Sequence, residues 1–457
     1  MTTAIAVRVR LVPRVLAIDV GTSSVRAQVF DAGAEEREPA QRKYAGENDP
    51  ARIVALVREA VGEATAGEEY DAVGGSCFGH SLLPLDDAGR PLTEILGWRD
   101  TRSADAAEWL ARRVDPEAVH TRTGCHVHTS YWPAKLAWLA ADHPEVWRET
   151  RRFVSFCDYL YGELLGRPVP ASTSMASATG LFDLHARAWD AELLEALDVD
   201  TERLSEISDD VVDGWYPAML DGACSNLGAG CVTRDRAALM IGTSGAFRTV
   251  HETAQAHARP GLFIHWVDER RVVEGGSLSD GGSLVHWLDD TLQGVEGPVA
   301  DRDPDTHGLT FLALLGGERS PGWHQHARGA IEGLTFATTP LDIRQAALEG
   351  VAFTFAAVAD LMPEVEEVVA TGGALLKEDG WLQLMADGLG RPLTVSGVKE
   401  ASLRGAAVVA LERLGESPPP GAVGCMVEPR LDRADAYRGA RDRYRQLYEA
   451  AIGSRTR

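Results

Sequence analysis

One short turn occurs twice in this chain. Val20-Gly21-Thr22-Ser23-Ser24 returns 221 residues later as Ile241-Gly242-Thr243-Ser244-Gly245. Each copy follows an apolar run, Val15-Leu16-Ala17-Ile18 or Ala237-Ala238-Leu239-Met240, and leads into an alternating stretch with a basic residue, Arg26 or Arg248. The pattern predicts a strand, a tight turn and a second strand, made twice. A Gly-Thr-Ser turn directs backbone N–H groups and small hydroxyls outward, where phosphate oxygens can accept from them. Alone, one such turn reads as an ordinary hairpin. The matched pair implies a nucleotide held between two related domains, with Asp19 present in the first copy only.

The 457 residues exceed what one compact core organises, so two domains are expected. Strand-like and helix-like segments alternate through both halves, which points to an α/β architecture. Helical spacing is read at 52–65, 103–113, 133–140 and 191–197, and Thr339-Pro340 supplies an N-cap and a first-turn proline for a run reaching Leu361. A strand at Glu367-Val368-Val369-Ala370 enters Gly372-Gly373 and then another helix. The boundary is placed near Thr233-Arg234-Asp235, giving units at 14–233 and 234–415 and a charged tail at 416–457 with a helix at 437–451.

A net charge of −23 argues against nucleic acid or an anionic membrane as partner. It also requires that an anion such as ATP meet a locally neutralised cleft with a bound cation. The six cysteines, at 77, 125, 157, 224, 231 and 425, form no CxxC pair and read as free buried thiols in a reducing cytoplasm. Met1 to Arg14 lacks a signal-like apolar region, and no uninterrupted apolar run approaches membrane-spanning length, so a soluble cytoplasmic protein is expected.

Several residues could carry chemistry. Asp19, beside the first turn, reads as an Mg²⁺ anchor near a triphosphate or as a turn cap. Asp221, followed by Gly222, Ala223, Cys224 and Ser225, reads as a base for a substrate hydroxyl or as an N-cap. Trp98, Asp100 and Arg102 form a box suited to a polyol, or a surface salt-bridge cluster. His126 and His128 would share one side of a strand. Gly372-Gly373 and Gly281-Gly282 suit close approach of a flat ring, or tight turns.

These pieces, in this order, resemble the FGGY carbohydrate kinase family. The resemblance runs from about Val15 to Leu414 and rests on AIDVGTSSVRAQVFD, Trp98-x-Asp100-x-Arg102, LDGACSNLGAG, LMIGTSGAFRTV, GGERSPGW, ARGAIEGLT and VVATGGALLKEDGWLQLMADGLGRPL. It implies an actin/hexokinase-like (ribonuclease H-like) duplicated two-domain α/β fold, with ATP and sugar in the interdomain cleft. By this likeness Asp221 is the general base and Asp19 the Mg²⁺-linked position. Gly21, Thr22, Ser23, Ser24 and Arg26, with Gly242 and Thr243, would approach the phosphates; Gly282, Gly372 and Gly373 would lie along the ADP. The sugar would contact Gly79, His80, Trp98, Asp100, Arg102, Tyr131 and Asp221.

Within the family, GHSLLPLDDAGRPLTEILGWRDTR, TGCHVHTSYWPAKLAWL, SMASATGLFDLHARAWD and IGTSGAFRT are similar to gluconate kinases. That subgroup implies phosphorylation of D-gluconate to 6-phosphogluconate, with Arg102, His126, His128 or Lys135 as the cationic lining. A kinase for a ketose such as xylulose or ribulose is the alternative, and a non-enzymatic sugar sensor a further one; a homodimer is compatible with the family. The chain departs from the family at Gly79, where a Met is usual and its loss would leave space beside the substrate. It departs also at Asp280, at Lys377, and in a short stretch between Trp287 and Leu309.

Overall fold

In a computed structural model, residues 12–453 are described, except 45, 294, 296–298, 300 and 301. The expectation for Met1 to Leu11, and part of that for the stretch between Trp287 and Leu309, lies outside the described residues.

The first half is built on Val15–Val20 (β1), Ser24–Phe30 (β2), Ala40–Lys43 (β3), Ala72–Cys77 (β4) and Met219–Leu220 (β5), in the order β3-β2-β1-β4-β5. β1 and β2 pair antiparallel from Val15 with Phe30 to Val20 with Val25, while β4 lies parallel to β1. All six side chains of β1 are buried, as expected of a central strand covered on both faces.

The second half repeats this plan. Arg236–Ile241 (β6) and Gly245–Glu252 (β7) pair antiparallel, with Phe263–Trp266 (β8) and Arg271–Leu278 (β9) beyond β7. Glu367–Thr371 (β10) lies parallel to β6, followed by Leu393–Ser396 (β11) and Val423–Val427 (β12), giving β8-β9-β7-β6-β10-β11-β12. Both repeated turns therefore join the central strand of a sheet to its antiparallel neighbour.

The expected helices form within a few residues of the bounds read above. Helix Pro340–Asp360 starts on a capping box between Thr339 and Asp342, and its long apolar middle is buried against the second sheet. The segment expected as a charged tail is built into the second half. It supplies the edge strand β12 and the helix Ala434–Gly453, which buries Tyr437, Ala440 and Tyr444. Five cysteines are buried and unpaired; Cys425, expected buried, is exposed on β12.

The two halves meet through helix Ala401–Arg413, which leaves the second half to lie on β1, β4 and helix Asp221–Gly228. The approach is close. A Cβ on Gly405 would stand 1.9 Å from the Cys224 carbonyl oxygen, and one on Gly228 would stand 1.9 Å from that of Ala401.

Candidate active site

Asp19 lies on β1 just before the first turn and is 3% exposed. Its carboxylate accepts from Ser76 Oγ at 2.7 Å and from Arg26 Nη1 at 3.1 Å. Burial raises its proton affinity, and Arg26 and Ser76 oppose the rise. Arg26 also pairs with Glu400 at 2.8 Å through Nε, so it bridges the first sheet to the second half.

Asp221 is the first residue of helix Asp221–Gly228, not its cap. Its Oδ1 accepts from the Gly222 N–H at 2.7 Å, and the side chain is half-buried. Burial pushes it up to about 6, against the pull of Arg248; the charge of Asp19 adds to the rise. A carboxylate that is ionised at neutral pH yet proton-hungry is suited to general-base work.

Asp19, Arg26, Asp221 and Gly222 share a cleft of about 560 Å³ with Arg248, Thr371, Gly372, Gly373 and Lys377, so both halves line it. Thr22, Ser23 and Thr243 are exposed at the tips of the two turns. Gly21 N–H donates to the Ser24 carbonyl at 3.0 Å, and Gly242 N–H to that of Ser244 at 3.0 Å, so the second turn closes one residue tighter than the first. Tyr44 braces the first turn by donating its hydroxyl to the Gly21 carbonyl.

Not every expected residue faces the cleft. Ser24 is buried behind the turn. Gly282 meets protein backbone, not a ligand surface: its N–H donates to the Gly242 carbonyl at 2.7 Å, and a Cβ there would lie 2.5 Å from that oxygen. The two glycines at the end of β10 have separate roles. Gly372 has φ +99° and presses on Ile241, whereas nothing lies within 4 Å of a Cβ on Gly373, which opens to the cleft. The space expected at Gly79 is filled, because a Cβ there would fall 2.1 Å from Leu220 Cδ1.

The sugar-side residues gather around Tyr131, which is buried. His80 meets its ring edge-on at 5.0 Å, and Trp323 lies at 5.8 Å. His80 and Trp323 both adopt positive φ, 63° and 58°, so the fold holds two side chains beside Tyr131 at a backbone cost. His80 Nδ1 donates to the Ala178 carbonyl at 2.5 Å. Trp98 borders a second cavity of about 520 Å³ with Arg99, His128, Asp280 and Gln325.

Asp100 and Arg102 pair with each other, and the Arg102 side chain is 60% exposed with its guanidinium over Trp138 at 4.8 Å. Of the four residues expected as alternatives for a cationic lining, the two histidines are neutral. His126 and His128 sit in a loop, not on a strand, and burial pushes both down to about 3, so they are neutral. His128 Nε2 donates to the Glu318 carbonyl at 3.0 Å. Lys135 is buried, pushed down to about 7, and donates to the Ser130 carbonyl at 2.7 Å and the His80 carbonyl at 3.3 Å.

Two arginines with no site role read from the sequence are cationic and buried. Arg248, on β7, is 7% exposed; its Nε and Nη2 have no hydrogen-bond partner among the described residues. Its guanidinium lies against Gly222, where a Cβ would stand 2.3 Å from Nη1. Arg319, also 7% exposed, stacks on the Trp98 ring at 4.3 Å. Arg248 was legible as the basic residue after the second turn, matching Arg26, but its direction was not.

Among the described residues, no group of three or more His, Cys, Asp or Glu is placed to hold a metal ion. Mg²⁺ asks for less, since one or two carboxylates with water and phosphate oxygens suffice. Asp19, on the cleft it shares with Asp221, fits that requirement.

Comparison with known proteins agrees with this arrangement. Residues 14–210 match the FGGY family of carbohydrate kinases, N-terminal domain, and residues 237–412 match the C-terminal domain. The chain is 27% identical over 451 residues to a gluconokinase of Bacillus licheniformis, covering 88% of each chain. It is 31% identical over 451 residues to a glycerol kinase of Methylibium petroleiphilum, covering 86% of this chain and 89% of that one. A solved structure of a ligand-bound xylulose kinase from Lactobacillus acidophilus superposes with a TM-score of 0.86 at 25% identity, covering 97% of this chain and 99% of that one. The fold is the two-domain, actin/hexokinase-like fold of these kinases.

Proposed function

The chain belongs to the FGGY family of carbohydrate kinases and is a phosphotransferase, and from that premise we propose that it transfers the γ-phosphoryl group of ATP to the terminal hydroxyl of D-gluconate. The observation that carries this reading is Asp221, half-buried and raised to about 6, on a cleft lined by both halves and shared with Asp19.

Asp221 accepts the hydroxyl proton as the substrate oxygen attacks the γ-phosphorus. The new O–P bond forms while the bond to the β-γ bridging oxygen breaks, and its electron pair leaves on ADP. The exposed turn residues Thr22, Ser23 and Thr243, with the Gly21 and Gly242 backbone, cradle the phosphates; Gly373 leaves room for the nucleoside. Arg248, beside Asp221 with two unpaired nitrogens, meets the charge that spreads over the moving phosphoryl group. Asp19 would hold Mg²⁺, which would supply neutralisation of phosphate charge when bound with ATP. His80, Trp98 and Tyr131 shape the sugar side.

Five buried, unpaired thiols support a cytoplasmic location for this reaction. Among the described residues no helix is long and apolar enough to cross a membrane. A ketose such as xylulose is the second reading, favoured by the superposition on a xylulose kinase. ADP release with Mg²⁺-ATP against gluconate, xylulose, ribulose, glycerol and a no-sugar control separates the two. Gluconate turning over with the highest kcat/KM supports the first reading, and a neutral ketose doing so supports the second.

A further inference from the structure

Arg319 lies near groups that line both cavities: Arg248 of the carboxylate cleft, and Trp98, Arg99 and Asp280 of the second. The Arg319 guanidinium is fixed by the Trp98 ring and by donation from Nη2 to the Leu278 carbonyl at 2.8 Å. Its Nε is buried and has no partner among the described residues. Burial pushes Arg319 down to about 10; Tyr131 and Asp280 act against this, while Arg99 and Arg248 add like charge. Three guanidinium groups thus lie near one another, with Asp221 beside Arg248 and Asp280 near Arg99 and Arg319.

A buried guanidinium with an open N–H is costly until an acceptor reaches it. A neutral polyol would leave that N–H without an anionic acceptor. A carboxylate matches the planar fork and removes both penalties. A sugar acid with its terminal hydroxyl at Asp221 carries its carboxylate at the far end of its carbon chain, and Arg319 is near enough to Asp221 to act on its charge.

We propose that Arg319, braced on Trp98, binds the substrate's carboxylate and makes the site select sugar acids over neutral sugars of the same length. The proposal rests on the phosphotransfer reading above and names the recognising residue.

The test compares kcat/KM for gluconate and for glucitol, its neutral six-carbon counterpart, in the wild type, Arg319→Met and Arg319→Lys, with ADP binding measured by calorimetry. The Met variant is expected to raise the gluconate KM on the order of 100-fold, with ADP affinity unchanged and the gluconate-to-glucitol preference collapsed. The Lys variant should fall between, keeping charge without the fork. An unchanged gluconate KM in Arg319→Met, with ADP bound, overturns the carboxylate assignment and leaves the gluconate reading standing. An equal loss on both substrates overturns it too, as the mark of a structural role. A wild type that phosphorylates xylulose or glycerol but not gluconate overturns both. Should the Met variant not bind ADP, the preference ratio of the Lys variant decides.

Discussion

Asp221 and Arg248 show what one residue can be held to. Asp221, pushed up to about 6 chiefly by burial, is charged above that pH and protonated below it. A base works only when charged, so kcat/KM should climb as pH rises through about 6 and then level off. A profile flat across that region would remove Asp221 from the role. Arg248→Met should lower kcat on the order of 100-fold, as removal of one donor to transition-state charge does elsewhere. A change confined to KM would place Arg248 in ground-state binding instead. The carboxylates were legible in the sequence because each sits in a short, local motif. Arg319 lay in the GGERSPGW stretch in plain view, yet its pairing with Trp98 spans 221 positions and only folding creates it. His126 and His128 misled for the same reason: their charge depends on burial, which spacing does not report.

At the scale of elements, the repeated hairpins could be read because a tight turn between alternating strands is written in adjacent residues. The helix Pro340–Asp360 could be read from its cap. Thr339→Ala should cost about 1 kcal/mol by removing the bond to the Asp342 N–H, measured by chemical denaturation. The crossing of helix Ala401–Arg413 with Asp221–Gly228 could not be read. It depends on two glycines 177 positions apart, each admitting the other helix's carbonyl. Gly405→Ala should therefore destabilise the protein by about 1–3 kcal/mol or more, because the obstacle is backbone. A variant as stable as the parent would mean the helices separate freely. The same helix touches the one that starts at Asp221, so a loss of kcat should accompany the loss of stability.

Across the whole molecule, both halves line the carboxylate cleft: Asp19 and Asp221 come from the first, Arg248 and Gly373 from the second. Ligands touching both walls favour a closed state that excludes water, so that the sugar hydroxyl attacks in its place. Small-angle scattering should show a smaller radius of gyration with gluconate and a non-hydrolysable ATP analogue together than with either alone. An unchanged radius would argue against closure. The central claim is that Asp221 takes the proton while the rest of the cleft holds ATP. Phosphoryl transfer to gluconate by Asp221→Asn, with ATP binding followed on the same sample, tests it most directly. The account predicts a loss of at least about 100-fold in kcat with ATP affinity within a few-fold of the parent; activity within a few-fold of the parent would contradict it.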